Sequence, residues 1–309
     1  LVGVADISKG GPSVRVEHTA GLAELVLAAP ERSNAIDLDL ARRLGDAVEE
    51  IAALDGLRVV LIRAEGRNFC VGGDVRSFAA HLDDLGTYVK SVADAIHHAL
   101  QRLAELPVPV LSAVQGAVAG AGIGLAFAAD LADLVYLART SKVRVAYTAI
   151  GLSPDNGASW FLPKLVGPRR ALELALTDRT LSAPEALDWG LATAVVDDDA
   201  VLDEARQTAQ RLHAMSTDAL IATKRLLHGA ARGRSLPDQL AVEAEPSPPS
   251  RPHPPPAKPS CASSRNEPAT AGQRRAGATV PAGRRSHRPR GPARIRDRHR
   301  RRGARRPCA

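Results

Sequence analysis

Over the first 245 residues, short apolar and β-branched runs alternate with stretches whose apolar positions recur every three or four residues. Residues 14–16 and 25–27 read as strands around the turn-like Ala20-Gly21. Residues 37–54 carry Leu40, Leu44, Val48 and Ile51 at helical spacing. A buried strand is predicted at 59–62, and a long helix from 88 to 106 that Pro107 ends. The pattern continues with a strand at 108–114, a glycine-rich turn, the small-residue run 125–130, and strands at 133–138 and 142–145. Beyond Gly151 the reading is helical: 158–165, 183–189 behind the capping-box sequence Ser182-Ala183-Pro184-Glu185, 201–215 and 218–227. Lys224, Arg225 and His228 fall near the C-terminal end of that last helix, where its dipole favours cations. Alternating strands and helices predict an α/β fold.

Charge divides the chain sharply. Residues 246–309 hold 13 of the 22 prolines and 17 of the 41 Lys and Arg, but only Glu267 and Asp297 as acids, a net of +15. Residues 1–245 carry a net of −8, so the basic balance belongs to the tail and gives the body no nucleic-acid footprint. The tail has no aromatic residue, and its only large aliphatics are Val280 and Ile295, which predicts disorder. A basic arm, an inert linker and an out-of-frame translation of a GC-rich gene all fit it. The Pro/Arg/Ala/Gly/Ser mixture favours the frameshift, and as an arm the tail would bind polyanions only nonspecifically. Cys70, Cys261 and Cys308 lack the number and spacing of a disulfide framework or zinc site, no run is long enough to span a bilayer, and residues 1–15 lack a signal-peptide core. A cytoplasmic protein is expected.

Two glycine-rich loops follow predicted strands: Asn68-Phe69-Cys70-Val71-Gly72-Gly73-Asp74 and Gly116-Ala117-Val118-Ala119-Gly120-Ala121-Gly122-Ile123-Gly124. Both permit close approach to backbone N–H groups, and neither ends in the Gly-Lys-Ser/Thr of a phosphate loop. Taken alone, they fit close helix-to-strand packing as well as a ligand site.

With Ala29-Pro30-Glu31-Arg32-Ser33-Asn34-Ala35, the strand 59–62, Pro109-Val110-Leu111-Ser112-Ala113-Val114-Gln115-Gly116, Gly151-Leu152-Ser153-Pro154-Asp155 and the segment 181–191, the loops form an ordered series. Over residues 14–245 that series resembles the enoyl-CoA hydratase/isomerase (crotonase) family. The resemblance implies a crotonase-like core of repeated ββα turns over 1–190 with a CoA-thioester site, a helical C-terminal region at 191–245 that builds trimers or hexamers, and then the tail. It implies an acyl-CoA substrate and no metal or redox cofactor, coenzyme A entering only as part of the thioester.

By position, the backbone N–H groups of Gly73 and Ala121 would hold the thioester oxygen as charge develops on it. Ala35 and the segment Gly72, Gly73, Asp74 and Val75 would line the CoA path, with Asp74 bracing its loop. Family hydratases use two glutamates, and here those positions are Gly124 and Tyr147. Neither glycine nor a neutral phenol activates water as a carboxylate does. Asp155 aligns with the aspartate of other branches, among them dienoyl-CoA isomerases and ring-modifying isomerases of phenylacetate degradation. Its competing role is an N-cap for 158–165.

An enoyl-CoA double-bond isomerase with Asp155 as acid/base is the favoured expectation. The alternatives are a hydratase with atypical residues, a dehalogenase with Asp155 as nucleophile aided by His97, and a non-catalytic crotonase-like protein lacking the family's last helix. Cys70 reads as packed, and Trp160 and Phe161 as core.

Overall fold

Strands that are apolar at consecutive positions need cover on both faces, and one large sheet provides it. The computed structural model describes residues 5–6, 13–127 and 133–245, all within the unit 1–255. In chain order they form β1 (Ala5–Asp6), β2 (Val14–Thr19), β3 (Leu22–Leu27), α1 (Leu38–Ala52), β4 (Val59–Ala64), α2 (Val75–Ala80), α3 (Leu85–Glu105), β5 (Val110–Val114), β6 (Ala117–Ala119), α4 (Ala121–Phe127), β7 (Leu134–Ala138), β8 (Lys142–Arg144), α5 (Ala158–Val166), α6 (Pro168–Thr177), β9 (Thr180–Ser182), α7 (Ala183–Asp188), β10 (Ala194–Val196), α8 (Val201–His213), α9 (Thr217–Ala231) and α10 (Leu236–Glu243). The large sheet has the order β1-β2-β3-β4-β5-β7-β10, antiparallel through β3 and parallel from there on. A small sheet, β6-β8-β9, carries the second glycine loop beside it. The expected tail, 246–309, lies outside the described residues, as do 128–130 of the small-residue run.

Alternate residues of the central strands feed two cores. Val60, Ile62, Val110, Val114, Val135 and Leu137 face the main core with α1 and α3, whereas Val59, Leu61, Leu111, Ala113, Tyr136 and Ala138 meet Val201, Ala205 and Ala209 of α8. The period of two along each strand thus decides which helix it supports. Asp37 caps α1, accepting from the Leu40 N–H at 2.8 Å, and the capping box at Ser182 forms as the sequence predicts. Among the described residues no helix is long and apolar enough to cross a membrane.

On the α8 side a buried carboxylate ties helix to sheet. Glu24 accepts from Arg206 Nε at 2.7 Å and from Arg63, which also reaches Glu17 at 2.7 Å. Burial opposes the charge on Glu24, but the two guanidinium groups outweigh it and hold the carboxyl below its ordinary value of 4.5. The resulting stabilisation is complete above the ordinary value and is lost as pH falls through the depressed one. Glu24→Ala is therefore expected to lower unfolding free energy by about 3 kcal/mol at pH 7. Urea titrations should find that gap narrowing below about pH 4.5. An unchanged gap at low pH would assign the loss to packing instead.

α9 is longer than its sequence pattern indicates, and its cations have a specific partner as well as a dipole. Lys224 Nζ lies 3.0 Å and His228 Nε2 3.1 Å from Asp133, and Lys224 also donates to the Val108 carbonyl at 2.9 Å. Burial opposes the Asp133 charge, but His228, Lys224 and the Val110 N–H together keep its carboxyl low. The C-terminal helices are thereby pinned to the start of β5.

Candidate functional site

The two glycine loops come together because their strands are neighbours. β4 leads into the first loop and β5 into the second, and a parallel bridge between Cys70 and Val118 fixes their register. The Ala119 N–H donates to the Cys70 carbonyl at 2.9 Å. Glycine is required at both contact points. Gly72 has φ +93° and a Cβ there would stand 2.9 Å from the Ala119 oxygen, while a Cβ on Gly122 would stand 2.5 Å from the Cys70 oxygen. Cys70 is fully buried, its Sγ donates to the Asn34 carbonyl at 3.1 Å, and burial pushes its thiol up to about 12. It is a packing residue of the junction.

This junction brings Gly73 and Ala121 to the wall of one cavity. A second parallel bridge, Ile36 to Gly73, uses the Gly72 carbonyl and the Asp74 N–H, so the Gly73 N–H points the other way. Ala121 is the first residue of α4, where an N–H has no partner within the helix. Gly73 and Ala121 both line a cavity of about 200 Å³. Its walls are apolar: Val75 and Phe78 of α2, Val92 and Ile96 of α3, and Ile150 and Leu152 of the loop before α5.

Of the cavity-lining residues, Asp155 and Tyr147 carry the titratable groups. Asp155 does not cap α5. Gly157 occupies the N-cap position, and Asp155 contributes its backbone carbonyl to the Ala158 N–H at 2.9 Å, leaving its carboxylate to the cavity wall. Asn156, 3 % exposed, donates through Nδ2 to the Tyr147 hydroxyl at 3.4 Å and to the Asp155 carboxylate. Burial, followed by the charge and hydrogen bond of Asp155, pushes the Tyr147 phenol far above its ordinary range, so it stays protonated.

The remaining expected residues divide. Gly72 and Val75 line the cavity, whereas Ala35 is buried beside the Ile36 bridge and Asp74 caps α2, accepting from the Arg76 N–H at 2.9 Å. His97 is exposed on α3 and does not reach the cavity, and His98 pairs with Glu49 at 3.2 Å. Phe161 is core, but Trp160 is 48 % exposed under the Lys164 ammonium, which corrects its expected place. Sequence reasoning missed Phe78 and Asn156. A six-residue α2 with no buried position has no readable stripe, and Asp-Asn-Gly reads as a turn. Among the described residues, no group of three His, Cys, Asp or Glu is placed to hold a metal ion.

Comparison with known proteins places the chain by family and fold. The family model described as enoyl-CoA hydratase/isomerase matches residues 17–247. The 1,2-epoxyphenylacetyl-CoA isomerase of Escherichia coli (strain K12) is 35 % identical over 229 residues, covering 73 % of this chain and 85 % of that protein. A Rhodobacter capsulatus protein named “probable enoyl-CoA hydratase” is 36 % identical over 232 residues, covering 75 % and 87 %. Among solved structures, an enoyl-CoA hydratase from Polaromonas sp. JS666 matches with a TM-score of 0.69 at 30 % identity, over 74 % of this chain and 88 % of that one. A Thermobifida fusca YX protein solved in complex with acetoacetyl-CoA matches with a TM-score of 0.69 at 29 % identity, over 75 % and 92 %.

Proposed function

Because the chain belongs to the enoyl-CoA hydratase/isomerase family, we propose that it is an acyl-CoA double-bond isomerase. In this reading the Gly73 and Ala121 N–H groups hold the thioester oxygen and Asp155 moves the proton. The Asp155 carboxylate takes a proton from C2 of a 3-enoyl-CoA. The C–H electron pair becomes the C1–C2 double bond of a dienolate, and the carbonyl pair moves onto the thioester oxygen, whose negative charge the two N–H donors stabilise. As the dienolate collapses, the thioester carbonyl re-forms, the C1–C2 pair moves to C2–C3, and the 3,4 pair takes the proton back from Asp155 at C4, giving the conjugated 2-enoyl-CoA.

One observation carries this reading: among the described residues Asp155 is the one carboxylate that lines the cavity, which Gly73 and Ala121 line as well. Carrying one proton between two carbons needs one acid/base, whereas adding water across a double bond by the family's two-glutamate chemistry needs two. Gly124 has no room for the missing one, since a Cβ there would stand 2.5 Å from the Asn156 carbonyl oxygen. Attack by Asp155 as a nucleophile would leave an ester for water to release, and among the described residues no histidine lines the cavity to activate that water. Relatives at 35 % and 36 % identity include both the 1,2-epoxyphenylacetyl-CoA isomerase and a protein named as a probable hydratase, so the choice between them rests on the cavity.

The test offers purified full-length chain 3-enoyl-CoA and 2-enoyl-CoA separately and follows the absorbance of the conjugated thioester. Conjugation of the 3-enoyl substrate, with the 2-enoyl substrate left unhydrated, is expected. Hydration as the faster reaction would overturn the assignment.

A further inference from the structure

We propose that Tyr147 and Asn156 are positioning residues that hold the Asp155 carboxylate in a single hydrogen-bonded orientation at the cavity wall. The inference rests on the isomerase reading for its chemistry, but its geometry stands apart from it.

Asn156 breaks three local rules at once. Its backbone is left-handed at φ +50°, its side chain is buried, and its Oδ1 is inaccessible to solvent and has no hydrogen-bond partner among the described residues. Glycine would satisfy the backbone, and no side chain would leave an orphaned oxygen. A buried amide kept under these conditions is kept for its donors. Those donors go to the Tyr147 hydroxyl and the Asp155 carboxylate. The Asn156 backbone packs as it does because residue 124 is glycine: a Cβ there would stand 2.5 Å from the Asn156 carbonyl oxygen and 3.1 Å from its Cβ.

Tyr147 arrives by a constrained route. Ala146, the residue before it, is itself left-handed at φ +59°, and its N–H is held by Asp178 Oδ1 at 2.8 Å. Asn156 Nδ2 donates to the phenol oxygen as well as to the Asp155 carboxylate, so one amide nitrogen ties both groups together at the cavity wall. A phenol so strongly kept protonated is a poor proton carrier, and its part is to anchor the amide that holds the carboxylate.

The experiment compares wild type, Tyr147→Phe, Asn156→Gly and Asp155→Asn, all as the full chain. Its first readout is NMR of protein carrying tyrosine labelled at the ring carbon that bears the hydroxyl. The chain has three tyrosines, so the line absent from Tyr147→Phe is assigned directly. The Tyr147 line is expected to move as Asp155 titrates, to be flat with pH in Asp155→Asn, and to change position in Asn156→Gly. The second readout is turnover of 3-enoyl-CoA. Tyr147→Phe and Asn156→Gly are each expected to lower kcat by about tenfold or more with KM within about twofold. Asn156→Gly should do so with its melting temperature within about 2 °C of wild type or higher, since it relieves the left-handed backbone.

A Tyr147 line indifferent to pH and to Asp155→Asn overturns the proposal. So does a loss of activity in Asn156→Gly that only follows a loss of stability. Wild type inactive on 3-enoyl-CoA with the NMR coupling intact would overturn the isomerase reading and leave the positioning role standing.

Discussion

Asp155→Asn is expected to lower kcat on 3-enoyl-CoA by about ten-thousand-fold, or about 5.5 kcal/mol of transition-state stabilisation. Removing one acid/base from a site with a substitute nearby costs far less, but among the described residues the other titratable side chain lining the cavity is a phenol held protonated. The amide has the shape of the carboxylate and still accepts from Asn156, so the site should remain assembled. Binding of a saturated acyl-CoA, which needs no proton transfer, is expected to stay within about twofold of wild type. Exchange of the C2 proton with solvent, followed by NMR in heavy water, should vanish together with turnover. Exchange that persisted in the variant would mean that another group takes the proton, and Asp155 would lose its role.

The sequence made much of this architecture legible, and the failures have physical causes. α1 and α3 each bury a face repeating at 3.6, and β4 and β5 are apolar runs buried at consecutive positions, so both patterns were readable directly. α10 buries no residue, and β6 and β9 are three residues long, too short to display a period. α6 begins at Pro168 directly after α5, so the two helices run together as one pattern interrupted by Gly167. Gly73, Ala121 and Asp155, which line the cavity, stand out in the sequence because ordered motifs carry them, whereas the apolar walls do not. Val92 and Ile96 look like ordinary core positions on a helix stripe, and nothing along the chain says that part of that stripe faces Phe78 and an open space. The Asp155 ambiguity was of the same kind. An aspartate three residues before a helix fits a cap or a site equally well, and only the placement of Gly157 at the cap decides it.

Ala121→Pro is expected to lower kcat by about a hundredfold to a thousandfold, or about 3–4 kcal/mol, while leaving the fold intact. A backbone N–H is normally beyond the reach of a side-chain substitution, but the position of Ala121 makes it accessible. As the first residue of α4 it donates to no helix carbonyl, and this is the helix position that proline tolerates best. The residue before it is glycine, the one least restricted by a following proline ring. The substitution therefore deletes one donor to the thioester oxygen and places a ring methylene where it pointed. The loss should fall mainly on kcat, because the thioester oxygen carries little charge in the ground state and most of its charge in the dienolate. Ala121→Ser, which restores the N–H with a side chain of similar size, is the matching control and is expected to turn over within a few-fold of wild type. If proline and serine slow the enzyme equally, the Ala121 side-chain volume matters and its N–H does not. If proline alone is slow and its melting temperature is unchanged, the charge is held by the backbone of α4, and the glycine-rich loop before it serves to bring that one N–H against the substrate.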